Sequence, residues 1–279
     1  MTPVEVLPLK LTAKGTTFGQ RFIPLTPEQT HLEKLWRQFL KETLGPELRQ
    51  EEREALERVM KKFNGVTDQK VENPFFWESW GPTWAEYSRR NLNRGFLLLN
   101  RLAGITKDQR IISLGAGSGW QEVFLAQVLC PQGSVIGVDY SFHMIKQGIL
   151  LAGKREVQNV CFTLAKVERI PLPEGMADLA ISLHLLDLIP DVLKVLKEVK
   201  RVLRNTGRAG YFFVFPLSPG DRLPEKAAVW QTRLIESGLR PSHCFSLSGQ
   251  NYKGRSIRLL GLTNPPLPAL LPPKKRKAL

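Results

Sequence analysis

Ile111-Ile112-Ser113-Leu114-Gly115-Ala116-Gly117-Ser118-Gly119-Trp120 is the stretch on which the reading of this chain turns. A short apolar, β-rich run ends in alternating glycines, and a helical pattern begins at once. Glycine tolerates positive φ and lets the backbone approach a ligand closely. In open parallel sheets, ligands bind at the carboxyl ends of strands, where such a loop sits.

Outward from that loop the pattern is strand–helix alternation. Residues 110–114 predict a strand and 119–129 a helix. A strand over 134–138, a helix over 142–152 and strands over 160–164 and 177–183 follow. A helix with Val192, Val195, Leu196, Val199, Val202 and Leu203 on its apolar stripe comes next, then a strand over 208–215 and a helix over 224–237. Residues 241–247 and 255–262 predict two last strands, which can be antiparallel because only a polar loop separates them. The expected fold class is α/β, a doubly wound, mostly parallel sheet with helices on both faces. Upstream, residues 1–30 read as an extended arm with short strands. Thr26-Pro27-Glu28 opens a helix whose apolar face is Leu32, Leu35, Trp36 and Phe39. A charged helix is expected over 46–63, and one over 92–102. Between them Trp77, Trp80, Trp84 and Tyr87 form an aromatic stripe at helical spacing. The expected organisation is an N-terminal arm and helical lid region (1–103), a ligand-binding domain (104–263) and a basic, proline-rich disordered tail (264–279).

The glycine loop is no Walker loop, because no Gly-Lys-Ser/Thr follows. It also departs from the dinucleotide fingerprint: Trp120 stands where the third glycine would pack helix on strand. Val135-Ile136-Gly137-Val138-Asp139 then ends the next strand with an acid 20 residues after Gly119. A carboxylate there can accept both hydrogen bonds of a ribose diol. Loop, helix, strand and acid together predict a nucleoside site; the other reading of Asp139 is a turn carboxylate capping the following helix.

The order Gly115-x-Gly117-x-Gly119, then Gly137-Val138-Asp139-x-Ser141-x-x-Met144, resembles class I S-adenosylmethionine-dependent methyltransferases. Glu168-Arg169-Ile170-Pro171-Leu172-Pro173, Ala177-Asp178-Leu179-Ala180, Leu183-His184-Leu185-Leu186 and the 196–204 stretch with Gly207 are similar to the branch that includes ubiquinone and menaquinone C-methyltransferases. The resemblance covers about residues 108–216 and extends more weakly to 262. It implies a seven-stranded Rossmann-like sheet and S-adenosyl-L-methionine as cofactor. Gly115, Ala116, Gly117 and Gly119 would wrap the methionine part, Asp139 the ribose, and Tyr140 would flank the adenine. Lys166 and Val167 would meet the adenine edge, and Leu183 and His184 would border methyl transfer. Ser113 and Lys166 stand where the family usually carries acids. In-line transfer from a sulfonium needs alignment and exclusion of water, and a base only if the acceptor must lose a proton. His184 is the candidate for that base, with a structural histidine as the alternative. Trp84 and Tyr87 are the candidate acceptor wall, with plain packing as the alternative. No metal is expected.

The net charge of +14 invites a nucleic-acid reading. It is uneven, with 15 Lys/Arg against 13 Asp/Glu in residues 1–100 and 25 against 13 in 101–279. Much of the excess lies in the tail Lys274-Lys275-Arg276-Lys277 and in Lys194, Lys197, Lys200, Arg201, Arg204 and Arg208. The latter set follows one helix face, which reads as a solvated face or a patch for an acidic partner. Asn264-Pro265-Pro266-Leu267 lacks the aromatic residue and the position of a base-methylating loop. The expected acceptor is therefore a small molecule, apolar or aromatic. The alternatives are an RNA or protein substrate docked on the basic helix, or a binding protein that keeps the fold without catalysis. Cys130, Cys161 and Cys244 form no C-x-x-C pair, which speaks against a disulfide framework or a thiolate zinc site. With neither a signal-peptide pattern nor an 18-residue apolar run, a cytoplasmic protein is expected, or a nuclear one in a eukaryote given the tail.

Overall fold

A computed structural model describes residues 6–12, 15–18, 21–24, 27–44, 54, 103–205, 209–217, 220–240, 243–250 and 256–264. The N-terminal segment gives strands β1 (Val6–Thr12), β2 (Gly15–Phe18) and β3 (Arg21–Pro24) and helix α1 (Pro27–Leu44). The alternating part gives β4 (Arg110–Leu114), α2 (Trp120–Phe124), β5 (Ser134–Asp139), α3 (Phe142–Lys154), β6 (Val160–Leu164) and β7 (Leu179–Leu183). It ends with α4 (Val192–Val202), β8 (Gly210–Pro216), α5 (Leu223–Glu236), β9 (His243–Gln250) and β10 (Ser256–Asn264).

All ten strands join one sheet in the order β3-β2-β1-β9-β10-β8-β7-β4-β5-β6. Strands β4 to β8 pair in parallel, and β10 runs antiparallel between β8 and β9. The sheet is larger than the seven strands expected, because the N-terminal arm adds three, with β1 lying parallel to β9. The chain winds from β4 towards β5 and β6 on one side, then returns to place β7 and β8 on the other. That reversal makes the carboxyl end of β4 the switch point, where the covering helices part and leave a crevice. The glycine loop occupies this end.

Strand alternation divides the core in two. Ile111, Val135, Leu179, Ile181, Phe212 and Val214 face α1, α2 and α3. Ile112, Leu114, Val138, Ala180, Tyr211 and Phe213 face α4 and α5. On the first side Trp36 packs at 5.1 Å on Trp120 and edge-on at 4.7 Å to Phe124, and Phe39 lies 5.3 Å from Phe124. Each such pair contributes about 0.5–1.5 kcal/mol beyond burial. Trp120, the departure from the dinucleotide fingerprint, thus receives the N-terminal helix. Leu35 does not share that face as expected: it is exposed, one step round the helix from Trp36. The predicted helix over 119–129 is α-helical only to Phe124. Leu125–Leu129 is a π-helical turn, closed by the Cys130 N–H donating to the Leu125 carbonyl over five residues.

Candidate active site

Strand β4 ends by handing its backbone to β5: the Gly115 and Ala116 N–H groups both donate to the Val138 carbonyl, at 2.8 and 3.1 Å. Gly115, Gly117 and Gly119 then take φ of 70°, 55° and 74°, the left-handed region that disfavours side chains. Their surroundings differ. A Cβ on Gly119 would lie 2.4 Å from the Phe162 ring and 2.7 Å from the Gly148 backbone. A Cβ on Gly117 would meet no heavy atom within 4 Å. Gly119 is therefore glycine because helix and sheet close on it, whereas Gly117 is glycine for its left-handed backbone and borders open space.

Asp139, at the end of β5, is half-buried. Its Oδ2 accepts the Gly117 N–H and its Oδ1 the Ser141 N–H, both at 2.9 Å. The two sequence readings of Asp139 are therefore not exclusive. It braces the turn into α3, whose N-cap is Ser141, accepting from the Met144 N–H at 3.3 Å. It also ties the glycine loop down through the Gly117 N–H. Tyr140 beside it is half-buried.

The loop after β7 approaches from the other side of the crevice. Leu185 lies against Gly115, its Cδ2 being 3.0 Å from where a Cβ on that glycine would stand. This contact brings Leu183 and His184 beside the glycine loop. His184 itself has φ of 62°, an uncommon value for a side-chain-bearing residue. The Val214 carbonyl on β8 accepts its N–H at 2.7 Å and holds it there. Burial pulls its imidazole down to about 4, so the ring is neutral at physiological pH.

Lys166 is exposed, whereas the Val167 side chain is buried in the core under α4. The lysine thus stays in solvent, and Val167 packs rather than facing the crevice with its side chain. Trp77, Trp80, Trp84 and Tyr87 lie outside the described residues. The basic face of α4 is also thinner than its sequence suggested. Arg201 is committed to Glu198 and to the Leu172 and Ile170 carbonyls, at 2.7 Å each. Arg204 pairs with Asp178 at 3.0 Å. Lys194, Lys197 and Lys200 remain exposed, and Arg208 lies outside the described residues.

One residue escaped sequence reading. Glu122 is fully buried on α2, and its Oε1 accepts the Ser113 hydroxyl at 2.6 Å. Its Oε2 is buried with no hydrogen-bond partner among the described residues. Burial, more than any other influence, pushes this carboxyl up to about 7. The available signal was an acid one residue before the apolar run Val123-Phe124-Leu125-Ala126, where the helix turns inward.

Residues 112–210 match the family model described as a methyltransferase domain. The chain is 30% identical over 117 residues to an arsenite methyltransferase of Halobacterium salinarum, spanning 42% of this chain and 30% of the relative. It is 28% identical over 104 residues to a demethylmenaquinone methyltransferase of a Geobacillus species, spanning 37% and 44%. The chain thus spans less than half the length of these two relatives. In fold it is similar to the crystal structure of a SAM-dependent methyltransferase from Aquifex aeolicus. The TM-score is 0.53 at 18% identity, over 68% of this chain and 98% of that one. A second similar fold is a methyltransferase structure from Methanococcus maripaludis, TM-score 0.51 at 19% identity, over 66% and 91%. The strand order, the left-handed glycine loop braced by Asp139 and these matches agree: residues 112–210 carry a methyltransferase domain of the class I, S-adenosyl-L-methionine-dependent type.

Proposed function

We propose that this chain is an active methyltransferase that alkylates a small apolar or aromatic molecule. The carrying observation is the Asp139 bridge between Gly117 and Ser141 beside the open space over Gly117. Gly115, Ala116, Gly117 and Gly119 would hold the methionine part of the cofactor, Asp139 its ribose, and Tyr140 its base. When bound, S-adenosylmethionine supplies an electrophilic methyl on a sulfonium. The chain's own work is then to orient an acceptor and exclude water. Leu183 and His184 stand where they would border that acceptor. A ring that titrates near 4 is a weak base. His184 therefore acts as a neutral hydrogen-bond partner and removes a proton only from an already acidic acceptor.

Two relatives are named for small acceptors, arsenite and demethylmenaquinone. The cysteines here favour an organic one. Trivalent arsenic is a soft centre bound by several thiolates together, whereas burial pushes the Cys130 thiol up to about 12, Cys244 is buried on β9 and the exposed Cys161 stands alone on β6. The pairing of Arg201 and Arg204 within the fold weakens the RNA-docking alternative.

Calorimetric titration of the full chain with S-adenosylmethionine tests the cofactor site. Asp139→Ala should weaken binding at least tenfold, and no binding at millimolar cofactor would overturn the reading. Labelled-methyl assays should then show transfer to quinone- or phenol-like acceptors. Preferential labelling of arsenite or RNA would replace the acceptor class.

A further inference from the structure

The proposed mechanism leaves Glu122 unused, yet its carboxyl is fully buried. A carboxyl without exposure is retained against a large desolvation penalty, normally offset by partners for both oxygens. Glu122 has a partner on one oxygen alone, the Ser113 hydroxyl. Its position is specific. Ser113 lies two residues before Gly115 and Glu122 three after Gly119, so the pair spans the base of the glycine loop.

The charges around it are few. From β5 comes Asp139, whose like charge also raises the Glu122 carboxyl. From β4 comes Ser113; Arg110 on that strand is tied to Asp178. On α1 the charged Lys34, Arg37, Lys41 and Glu42 are exposed, while Trp36 and Phe39 pack inward. On α3, His143, Lys146 and Lys154 are exposed. No cation among the described residues reaches Glu122. The loop that Ser113 and Glu122 underlie would hold a sulfonium before transfer and a neutral thioether after it.

We propose that the Ser113–Glu122 pair is a charge sensor beneath the cofactor loop, favouring the sulfonium cofactor over its thioether product by exchanging a proton with solvent. When the sulfonium form binds, Glu122 gives up its proton and the carboxylate stabilises the positive sulfur through the low-dielectric interior. On transfer, the S–CH3 bond breaks with its electron pair left on sulfur, and the methyl carbon bonds to the acceptor. With the positive charge gone, Glu122 takes a proton back from solvent and the product is held less tightly. Glu122 is a positioning residue: it is buried, and acts through its field and through Ser113. The inference rests on the cofactor assignment above.

The test measures binding rather than turnover. S-adenosylmethionine and S-adenosylhomocysteine are titrated calorimetrically into the wild-type chain and Glu122→Gln, at pH 6 and 8, in buffers of different ionisation enthalpy. For the wild type, the preference for the sulfonium form should rise about fivefold or more from pH 6 to 8. Near pH 7 its binding should release a larger fraction of a proton than thioether binding does. In Glu122→Gln the added release and the pH-dependent preference should disappear. Equal preferences and proton counts in the two proteins, with both ligands bound, would overturn the sensor and leave the function standing. No binding of either ligand to the wild type would overturn both. Should Glu122→Gln fail to fold, the wild-type proton counts decide, since equal release with the two ligands refutes the sensor.

Discussion

Two glutamates, one on each side of the sheet, titrate in opposite directions. Glu198 on α4 meets the Arg201 guanidinium at 2.8 Å and accepts the Ile170 N–H at 2.8 Å, and these contacts hold its carboxyl below the usual range. Glu122 on α2 has a hydroxyl on one oxygen and nothing on the other, and burial pushes it up. The first belongs to a finished structural clamp, in which Arg201 also closes the 170–172 turn through two carbonyls. The second is an expense left unmet by the fold, directly beneath the glycine loop. The carboxylate on α4 finds its partners within the fold, whereas the one on α2 leaves an oxygen for which the described residues supply none.

The largest effects are expected at the loop above Glu122. Gly119→Ala puts a Cβ 2.4 Å from Phe162 and 2.7 Å from the Gly148 backbone at φ 74°. It should cost about 2–4 kcal/mol in denaturant unfolding. Gly117→Ala, with open space around its Cβ, should cost only about 1 kcal/mol while weakening cofactor binding. Equal destabilisation by the two would refute the division into packing and ligand glycines.

Glu122→Gln sharpens the contrast itself. The folded protein holds the Glu122 proton between pH 4.5 and about 7, where the unfolded chain has lost it. Stability from this group is therefore full below about 4.5 and is lost as pH rises through 7. Without cofactor, the glutamine variant should be the more stable protein at pH 8. The gain should be on the order of 1–3 kcal/mol, shrinking toward pH 4. A variant less stable at pH 8 would show that the carboxylate is already compensated.

Arg201→Ala, on the finished side, should cost about 1–2 kcal/mol through the carbonyls and Glu198 left behind. Cofactor affinity should not change, and a tenfold loss would show that the clamp reaches the site. The smallest effect is expected from Lys197→Glu with Lys200→Glu on the exposed face of α4. Stability should stay within about 0.5 kcal/mol and cofactor affinity should be unaltered. Loss of a salt-sensitive RNA complex in that variant would revive the nucleic-acid reading.

Much of the site was legible because its signals are local. Left-handed backbone demands glycine at 115, 117 and 119, and the acid that ends the next strand, Asp139, accepts the Gly117 N–H. Strand and helix periodicity likewise set the alternation from β4 to α5. Distant contacts were not legible. Phe162 closes on Gly119 from a strand 43 residues away in sequence. The added strands join at β9, more than 230 residues from β1, through backbone hydrogen bonds that no side-chain pattern announces.

The α/β class, the switch-point loop and its acid follow from the chain order alone, because each depends on residues adjacent along the chain. Which charges are paired and which stand unpaired depends on the packed fold. Arg201 and Arg204 look like a free basic face until the 170–172 turn and Asp178 are brought against them. Glu122 looks like an ordinary helix acid until α2 turns it under β4 onto Ser113. Burial and pairing are properties of the packed chain, and they set the energy of a charge.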